Sequence, residues 1–315
     1  MGLEVIDLND LIERYSSSAV DRMTVGLSLA NGQNIGIAAL DPPSSFLLFL
    51  LKDVMQLSPM NGSANGLVML RTEQCSGVQK DAGPKERPIW AGCLLDNRLW
   101  TTSFNGDAAT VSLTREFDRE EPLYRLLLAS LIISLSARGK DGLYIHGALA
   151  EKDGQGVIMA GTWGAGKSTA SNRLPSTWHS LCDDKILVVR DSRGEYFAHP
   201  WPTWSRFLPG GQGGTWDSKK AVPLKGIFFI AQRPEDRVEP MSFREGAYAL
   251  IESSRQALRP MIRELGKEER KILCTQIFES AYALSMKVPC NVLHLTLHGE
   301  FWKEMEECLP AQLEI

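Results

Sequence analysis

The residues best suited to chemistry form a glycine-rich segment near the middle of the chain, at positions 161–168. The segment fits the pattern G-x-x-x-x-G-K-[ST], in which glycines let successive backbone N–H groups face one anion. In this pattern Lys167 meets the β- and γ-phosphates of a nucleoside triphosphate, and the Ser168 hydroxyl ligates Mg²⁺. The predicted nucleotide-contacting residues are Gly161, Thr162, Trp163, Gly164, Ala165, Gly166, Lys167, Ser168 and Thr169.

The flanking elements decide between a phosphate-binding loop and a chance match in a glycine-rich turn. The pattern requires a strand before the loop and a helix after it. Apolar residues at 156–160 predict the strand, and residues 167–174 favour a helix. The context therefore favours the phosphate site and makes Lys167 a candidate catalytic residue.

Two adjacent carboxylates, Asp183 and Asp184, precede another apolar stretch at 185–190. A nucleotide-bound Mg²⁺ needs an acid near it, usually at the end of a neighbouring strand. Of two carboxylates in such a place, one can orient the metal while the other accepts the proton of an attacking hydroxyl. A solvated acidic turn explains the same two residues, and the residue types alone do not choose between these interpretations.

His146 lies on an apolar stretch at 143–151, directly before the strand that leads into the loop. A single histidine on an apolar strand is more often a core residue with satisfied ring nitrogens than a catalytic group. The residues alone therefore favour a structural role for His146.

The order of the predicted elements places all of these residues in one domain. Strand, turn, strand, loop, helix and strand follow one another between residues 143 and 190, which predicts an α/β catalytic domain at 119–315. Residues 1–118 contain a predicted hairpin, a helix and further strands, and so predict a small N-terminal α+β module.

The bulk composition limits the classes of partner. The chain has 315 residues, of which 43% are hydrophobic and 23% charged, as in a water-soluble globular protein. Its net charge of -4 gives no basic surface for nucleic acid. The most apolar run, 123–135, is shorter than the roughly 20 residues that span a bilayer. The six cysteines are scattered, without zinc-type spacing or the dense framework of secreted proteins, and so indicate reduced thiols. We therefore expect a cytoplasmic protein that binds neither nucleic acid nor membrane.

Three segments together resemble the HPr kinase/phosphorylase family. They are His146-Gly147, the loop at 161–168 and Asp183-Asp184-Lys185. The family carries His-Gly, the loop and Asp-Asp-Arg in this order and at nearly this spacing. The resemblance covers about residues 140–300 and implies a P-loop kinase domain of the HPr kinase/phosphoenolpyruvate carboxykinase type, which phosphorylates a serine hydroxyl on a small protein.

Within this group, the chain looks most like the HPr-kinase-related proteins of peptide-modification gene cassettes. These include the ScmC type of the SynChlorMet cassette and the kinases that phosphorylate lasso-peptide precursors. The similarity is carried by His-Gly-Ala-Leu at 146–149, Cys-Asp-Asp at 182–184 and Pro-Trp-Pro-Thr-Trp-Ser at 200–205.

Position by position, the resemblance makes Asp184 the general base, places Asp183 at the Mg²⁺ with Ser168, and places His146 beside the phosphates. The chain departs from the bacterial HPr kinases at 199–206, where they have a metal-binding glutamate and an Arg-Gly-Leu-Gly-rich signature. Because of this departure, we do not expect HPr to be the acceptor, and the resemblance does not predict whether the reverse phosphorylase activity exists.

These observations predict an ATP- and Mg²⁺-dependent kinase that phosphorylates a serine or similar hydroxyl on a ribosomally made precursor peptide or small protein. The related kinases form oligomers, so a homo-oligomer is compatible with the prediction. Two other functions fit the same residues. One is a nucleotide-binding regulatory or assembly factor without an acceptor, which would not need the Asp184 carboxylate, and the other is a small-molecule kinase of the same fold.

Overall fold

The computed structural model describes residues 24–309, apart from 61–63, 74–92, 96–97, 106–107, 115–120, 140, 163, 209 and 264. Contacts divide the chain into two compact units. The first comprises Met1–Gly139, Trp204–Lys219 and Leu258–Leu273, and the second comprises Lys140–Thr203, Lys220–Ala257 and Cys274–Ile315. Each unit is described separately below.

The first unit contains a sheet of seven strands in the spatial order β3-β1-β2-β4-β7-β6-β5. The strands are β1 Thr24–Ser28, β2 Asn34–Ala39, β3 Ser58–Pro59, β4 Gly66–Glu73, β5 Cys93–Leu95, β6 Arg98–Asn105 and β7 Ala108–Thr114. β1 and β2 form an antiparallel hairpin, whereas β4 runs parallel to both β2 and β7. Parallel neighbours need a crossover connection, and helix α1 (Pro42–Val54) provides it between β2 and β4.

Helix α1 begins at a capping box that the sequence supplies locally. The Asp41 carboxylate accepts a hydrogen bond from the Ser44 backbone N–H at 2.9 Å, and the Ser44 hydroxyl accepts one from the Asp41 N–H at 3.2 Å. These bonds satisfy backbone donors that have no partner inside the helix. The prolines at the first positions of α1 fit the same place because their missing N–H is not needed there.

Helix α2 (Glu121–Ala137) forms from the most apolar run of the chain and belongs to the first unit. Leu126, Leu131 and Ile133 on this helix are fully buried. In a short 3₁₀ helix, Trp204–Phe207, the Trp204 indole donates a hydrogen bond to the Ser130 hydroxyl at 2.8 Å. Within the described residues, no helix combines the length and hydropathy needed to cross a membrane.

The second unit is built around a closed ring of five strands: β8 pairs with β11, β11 with β12, β12 with β13, β13 with β9, and β9 with β8. Its strands are β8 Leu143–Lys152, β9 Gln155–Ala160, β10 His179–Cys182, β11 Lys185–Arg190, β12 Tyr196–Trp201, β13 Val222–Gln232, β14 Arg237–Pro240 and β15 Cys290–Leu295. β13 runs parallel to both β9 and β15, and the other pairings are antiparallel.

Five further helices complete the described part of the chain: α3 Lys167–Arg173, α4 Phe243–Ala257, α5 Arg259–Ile262, α6 Lys267–Lys287 and α7 Phe301–Glu307. A buried cluster joins the ring to two of these helices. It consists of Ala148, Ala150, Val157, Met159, Ala170, Trp178, Phe228, Ile230, Leu293, Leu295, Phe301 and Met305. Because β9 and α3 both contribute to this core, the loop between them is anchored at both ends.

The mixed α/β class predicted from the sequence is confirmed, with seven helices among the described residues. The predicted strand, loop and helix around residues 161–168 are also present, as β9 and α3. Several short elements were not expected from the sequence, namely β12, β14 and α7. The predicted boundary between an N-terminal module and a catalytic domain, at residues 118 and 119, stays a prediction. The two compact units are defined by contacts alone and do not by themselves identify functional domains.

Candidate active site

The 161–168 loop connects the end of β9 to α3. Gly164 and Gly166 have positive φ angles of 81° and 99°, a backbone region that residues with side chains rarely adopt. Position 166, where the sequence pattern requires glycine, therefore also has a backbone conformation that favours glycine. Trp163, which the sequence places among the nucleotide-contacting residues, lies outside the described residues.

The Lys167 side chain reaches back across this loop. Its ammonium donates hydrogen bonds of 3.0 Å to the carbonyl oxygens of both Gly161 and Thr162. Burial lowers the pKa of Lys167, the charge of Asp184 opposes that change, and the charge of Lys185 adds to it. Lys167 therefore lies close enough to the Asp184–Lys185 segment to respond to its charges. Of the other predicted contacts, Ser168 and Thr169 are exposed on the first turn of α3.

The strand ladder brings the three sequence motifs to one place. Gly147 on β8 pairs on one side with Ala160, the last residue before the loop. On its other side, the Gly147 N–H donates a 3.0 Å hydrogen bond to the Asp184 carbonyl oxygen. Neighbouring strands lie about 4.8 Å apart, so Ala160 and Asp184 lie about 10 Å from each other across Gly147. The next ladder pair along β8 and β11 is His146 with Lys185.

This convergence explains why a glycine follows the histidine. A β-carbon at position 147 would lie 3.1 Å from the Ile158 methyl group, 3.1 Å from the Met159 carbonyl oxygen and 3.3 Å from Ile186. These contacts are tighter than ordinary van der Waals packing, so a larger residue at 147 requires neighbouring atoms of β9 and β11 to move by a few tenths of an ångström. Gly147 therefore fits closely between the strand that leads into the loop and the strand that follows the Asp pair.

Asp184 forms a compact cluster with His146 and Lys185. The Asp184 Oδ1 atom lies 2.8 Å from His146 Nδ1 and 3.0 Å from Lys185 Nζ. His146 Nδ1 and Lys185 Nζ are themselves 3.1 Å apart. A carboxylate only accepts hydrogen bonds. We therefore place a proton on His146 Nδ1, so that His146 Nδ1 and Lys185 Nζ both donate to Asp184.

The cluster keeps Asp184 charged. Burial by itself raises the pKa of this carboxyl, but the hydrogen bond from His146 and the charges of Lys185 and His146 outweigh burial. The pKa of Asp184 therefore lies well below the ordinary range of an aspartate. The Asp184 side chain retains 26% of its exposed area, so an incoming hydroxyl can still reach it.

Asp183 points to a different partner. Its Oδ1 atom accepts a 2.8 Å hydrogen bond from the Thr203 hydroxyl, at the end of the segment that follows β12. Asp183 and Asp184 thus have separate environments although they are adjacent in sequence. The predicted division of roles between a metal-side carboxylate and a proton-accepting one stays a prediction.

The donor set suits a metal that is shared with a nucleotide. Across the described residues, no group of three or more His, Cys, Asp or Glu side chains could hold a metal ion. Protein-bound Mg²⁺ usually keeps several waters and takes one or two protein oxygens together with phosphate oxygens. The Ser168 hydroxyl and the Asp183 carboxylate are oxygen ligands of the kind that Mg²⁺ accepts.

Helix α4 supports the cluster from behind. The Ser253 hydroxyl donates a 2.9 Å hydrogen bond to the His146 carbonyl oxygen, and Ser253 is 5% exposed. This bond ties the C-terminal half of α4 to the middle of β8. Ser253 therefore acts on the site by holding the strand that carries His146.

Three residues of the site were given no role from the sequence. Lys185 and Thr203 lie in segments that carry the family resemblance, at 183–185 and 200–205, but the residue types alone do not show that they contact Asp184 and Asp183. Ser253 gave no signal, since it is a common residue type far along the chain from His146.

The three tryptophans of the 200–216 region lie in the interior of the protein. Trp201, Trp204 and Trp216 are all 5% exposed or less, as packing residues are. A cavity of about 480 Å³ lies elsewhere in the second unit, where Leu224 and Lys225 near the start of β13 meet Val288 and Pro289 before β15. The cavity is near the beginning of β13, whereas the 161–168 loop follows the end of β9, which runs parallel to β13. None of the predicted site residues lines this cavity.

Comparison with families of known proteins gives one result that bears on this site. The family model described as SynChlorMet cassette protein ScmC matches residues 111–310. This range includes the whole five-stranded ring and every candidate residue from His146 to Asp184. No curated protein matches the chain.

Proposed function

The chain belongs to the family of SynChlorMet cassette protein ScmC, and from this premise we propose that it is a kinase of peptide modification. It uses ATP and Mg²⁺ to phosphorylate a serine or similar hydroxyl on a ribosomally made precursor peptide. The proposal includes a relationship to HPr kinase, which rests on the His146-Gly147, 161–168 and Asp183-Asp184-Lys185 segments. The acceptor class follows from the peptide-modification character of the resembling proteins.

The observation that carries the proposal is the ladder alignment at Gly147. It puts the residue before the 161–168 loop, Ala160, and the backbone of Asp184 on opposite sides of one residue. A phosphate donor on the loop and a hydroxyl at Asp184 would then be near enough for direct transfer. Positioning of this kind supplies most of the rate in phosphoryl transfer, because the transition state is loose.

Each residue has a defined part in the proposed reaction. Lys167 exchanges its bonds with the Gly161 and Thr162 carbonyl groups for bonds to phosphate oxygens. Asp184 orients the acceptor hydroxyl and takes its proton as the bond to the γ-phosphorus forms, while the bond from that phosphorus to the β–γ bridging oxygen breaks and ADP leaves. Lys185 and His146 hold the Asp184 carboxylate in place. Ser168 and Asp183 would hold Mg²⁺, which would neutralise charge on the phosphates.

The test is intact-mass spectrometry of precursor peptides encoded next to this gene, after incubation with ATP, Mg²⁺ and the purified chain. We expect one peptide to gain a phosphate, about 80 Da. Asp184→Asn should abolish the gain while nucleotide affinity stays within about twofold, because the amide keeps the shape but does not accept the proton.

Asp153→Asn is the matched control, since it makes the same chemical change in the turn between β8 and β9, away from the loop. This variant should phosphorylate as the wild type does. An absence of gain on every peptide while ATP still binds would contradict the kinase and favour the regulatory factor. A gain on a small hydroxyl compound alone would favour the small-molecule kinase.

A further inference from the structure

An exposed aromatic surface lies on helices α4 and α6 of the second unit. We define it by Phe243, Phe278, Tyr282 and Met286, whose exposed fractions are 37%, 56%, 40% and 62%. The Phe243 and Tyr282 rings meet edge to face at 5.5 Å, and the Phe278 and Tyr282 rings stack at 6.3 Å. Phe278, Tyr282 and Met286 follow one another at intervals of four residues, which places them along one face of α6.

This surface is not a set of scattered apolar residues. Single exposed hydrophobic side chains are normal on proteins, whereas contiguous apolar patches mark binding sites. Aromatic residues, methionine and arginine are also the types enriched where proteins bind one another. The contacts among the three rings make the aromatic surface continuous, so it meets this criterion.

The surface is held rigidly before anything binds to it. A β-carbon at Gly246 would lie 2.7 Å from the Cys290 Cβ atom, so α4 passes the beginning of β15 at a distance that only glycine allows. The Met241 N–H also donates a 3.0 Å hydrogen bond to the Cys290 carbonyl oxygen just before α4 begins. Binding of a partner therefore costs little conformational entropy on this side of the interface.

The positive charge of Arg244, beside the aromatic surface, is available to pair with a binding partner. The Arg244 guanidinium lies 5.6 Å from the centre of the Phe243 ring and makes no ion pair with any residue that the structure describes. The nearby Glu245 is occupied, because its carboxylate accepts bonds of 2.9 and 2.7 Å from the Ser242 N–H and hydroxyl. A segment that covers the aromatic surface would satisfy Arg244 with an acidic side chain.

The number of positive charges beside the aromatic surface indicates whether its binding partner is a polypeptide or a membrane. Membrane attachment through an aromatic helix face needs a cluster of Lys and Arg that meets anionic headgroups. Beside the aromatic surface there are two separate cations, Arg244 and the exposed Lys287 next to Met286, and one exposed carboxylate, Glu279 next to Phe278. The charge pattern therefore fits an apolar segment with an acidic residue rather than a membrane.

Helix α4 connects this surface to the candidate active site. Phe243 is at its beginning and Ser253, which contacts His146, is ten residues later. At 1.5 Å per residue, the two lie about 15 Å apart along the helix axis. An extended peptide covers about 3.3 Å per residue, so at least about five residues are needed to span the distance.

We propose that the aromatic surface docks an apolar, acidic segment of the acceptor polypeptide, at least about five residues away from the hydroxyl that receives phosphate. The inference rests on the proposed function for the identity of the acceptor. Docking raises the local concentration of the hydroxyl at Asp184 and leaves the transfer step unchanged.

The test measures binding and does not require phosphate transfer. The probe is a fluorescein-labelled synthetic peptide of twelve residues with two leucines, one phenylalanine and one aspartate in a serine–glycine background. A second peptide has lysine in place of the aspartate. Fluorescence anisotropy with the full chain gives the dissociation constant of each peptide.

We expect the acidic peptide to bind more tightly than the lysine peptide. The double variant Phe278→Ser/Tyr282→Ser should weaken it tenfold or more, and Arg244→Glu should reverse the preference between the two peptides. Tyr248→Ser is the matched control, because Tyr248 is a 68% exposed aromatic residue on α4 outside the surface. This variant should bind as the wild type does, and circular dichroism should show that all variants fold.

Equal binding by the wild type and the double variant, or no binding of either peptide, would overturn the proposal. Self-association of the chain that the double variant abolishes would make the occupant a second copy. Binding to phosphatidylserine vesicles with the same mutational pattern would make it a membrane. If the peptides bind in the expected pattern but no precursor gains phosphate, the result supports the docking surface and contradicts the kinase proposal. If a precursor gains phosphate but the peptides do not bind in this pattern, the result supports the kinase proposal and contradicts the docking surface.

Discussion

The proton acceptor of the proposed reaction is a weak base by the standards of its residue type. Its cluster with His146 and Lys185 holds the pKa of Asp184 below the ordinary value for aspartate. In a loose transition state the acceptor hydroxyl loses its proton late, so a fixed carboxylate is more useful than a strongly basic one. The low pKa has a stability consequence too. The ionised carboxylate stabilises the folded chain above the unfolded-state pKa of about 4, and this contribution is lost as the pH falls toward the folded-state value.

Replacement of Lys185 by methionine tests this electrostatic balance. Without the Lys185 charge, burial is opposed by His146 alone, so the pKa of Asp184 should rise by about one to three pH units, the range that one adjacent opposite charge produces. Carbon-13 NMR titration of selectively labelled aspartates measures this pKa, with Asp184→Asn to assign the resonance. Lys225→Met, which removes a lysine outside the cluster, should leave it unchanged. A pKa that stays low in Lys185→Met would show that Lys185 does not control Asp184.

At the scale of the elements, the sequence predicts those parts whose signal is local. The strand before the loop and the helix after it follow from apolar runs and from a motif that fixes the backbone at Gly166. β12 was not expected because Pro200 lies within it and proline is rare inside strands. Pro200 is tolerated because β12 pairs with β13 only at Phe197 and Ala198, so at Pro200 the strand has a paired neighbour on the β11 side alone.

The candidate site divides in the same way. The residues that belong to motifs could be named from the sequence, and the structure places His146 and Asp184 in contact. Residue types could not establish that contact, because it depends on the register of β8 against β11. Thr203 and Ser253 could not be named for the same reason: their roles come from long-range packing and not from spacing along the chain.

Two adjacent serines on α4 provide an internal comparison for the link between this helix and β8. Ser253→Ala removes the bond to the His146 carbonyl group and should lower the free energy of unfolding by about 1 kcal/mol. Ser254 is fully buried, and its hydroxyl has no hydrogen-bond partner among the described residues. Ser254→Ala should therefore change stability by less than about 0.5 kcal/mol or increase it. Urea denaturation midpoints measure both, and equal losses would contradict a specific role for Ser253.

At the scale of the whole molecule, the candidate residues all belong to one of the two compact units. His146, the 161–168 loop, the Asp pair, Thr203 and Ser253 lie within the second unit. A ligand that binds only the folded form stabilises it by mass action, by about 2.7 kcal/mol at a hundredfold excess over its Kd. Nucleotide binding should therefore raise the unfolding temperature of this unit.

Differential scanning calorimetry with and without ATP and Mg²⁺ checks this expectation. The wild type and Asp184→Asn should both show a higher Tm with nucleotide. Lys167→Met should lose most of the increase, because the buried ammonium that lies across the loop is gone. If the two units unfold in separate transitions, only one transition should move. An increase that persists undiminished in Lys167→Met would place nucleotide binding elsewhere.

The closed ring of strands also has a consequence for synthesis on the ribosome. β13 is the strand that joins β12 to β9, and it ends at Gln232. Until that residue has emerged, the backbone of β9 is paired along one edge only, although the whole nucleotide motif has already been translated. Unpaired edges of apolar strands are templates for wrong pairing. A nascent chain that stalls between residues 168 and 222 thus carries the complete motif without the ring that positions it, and exposes an aggregation-prone edge in its place.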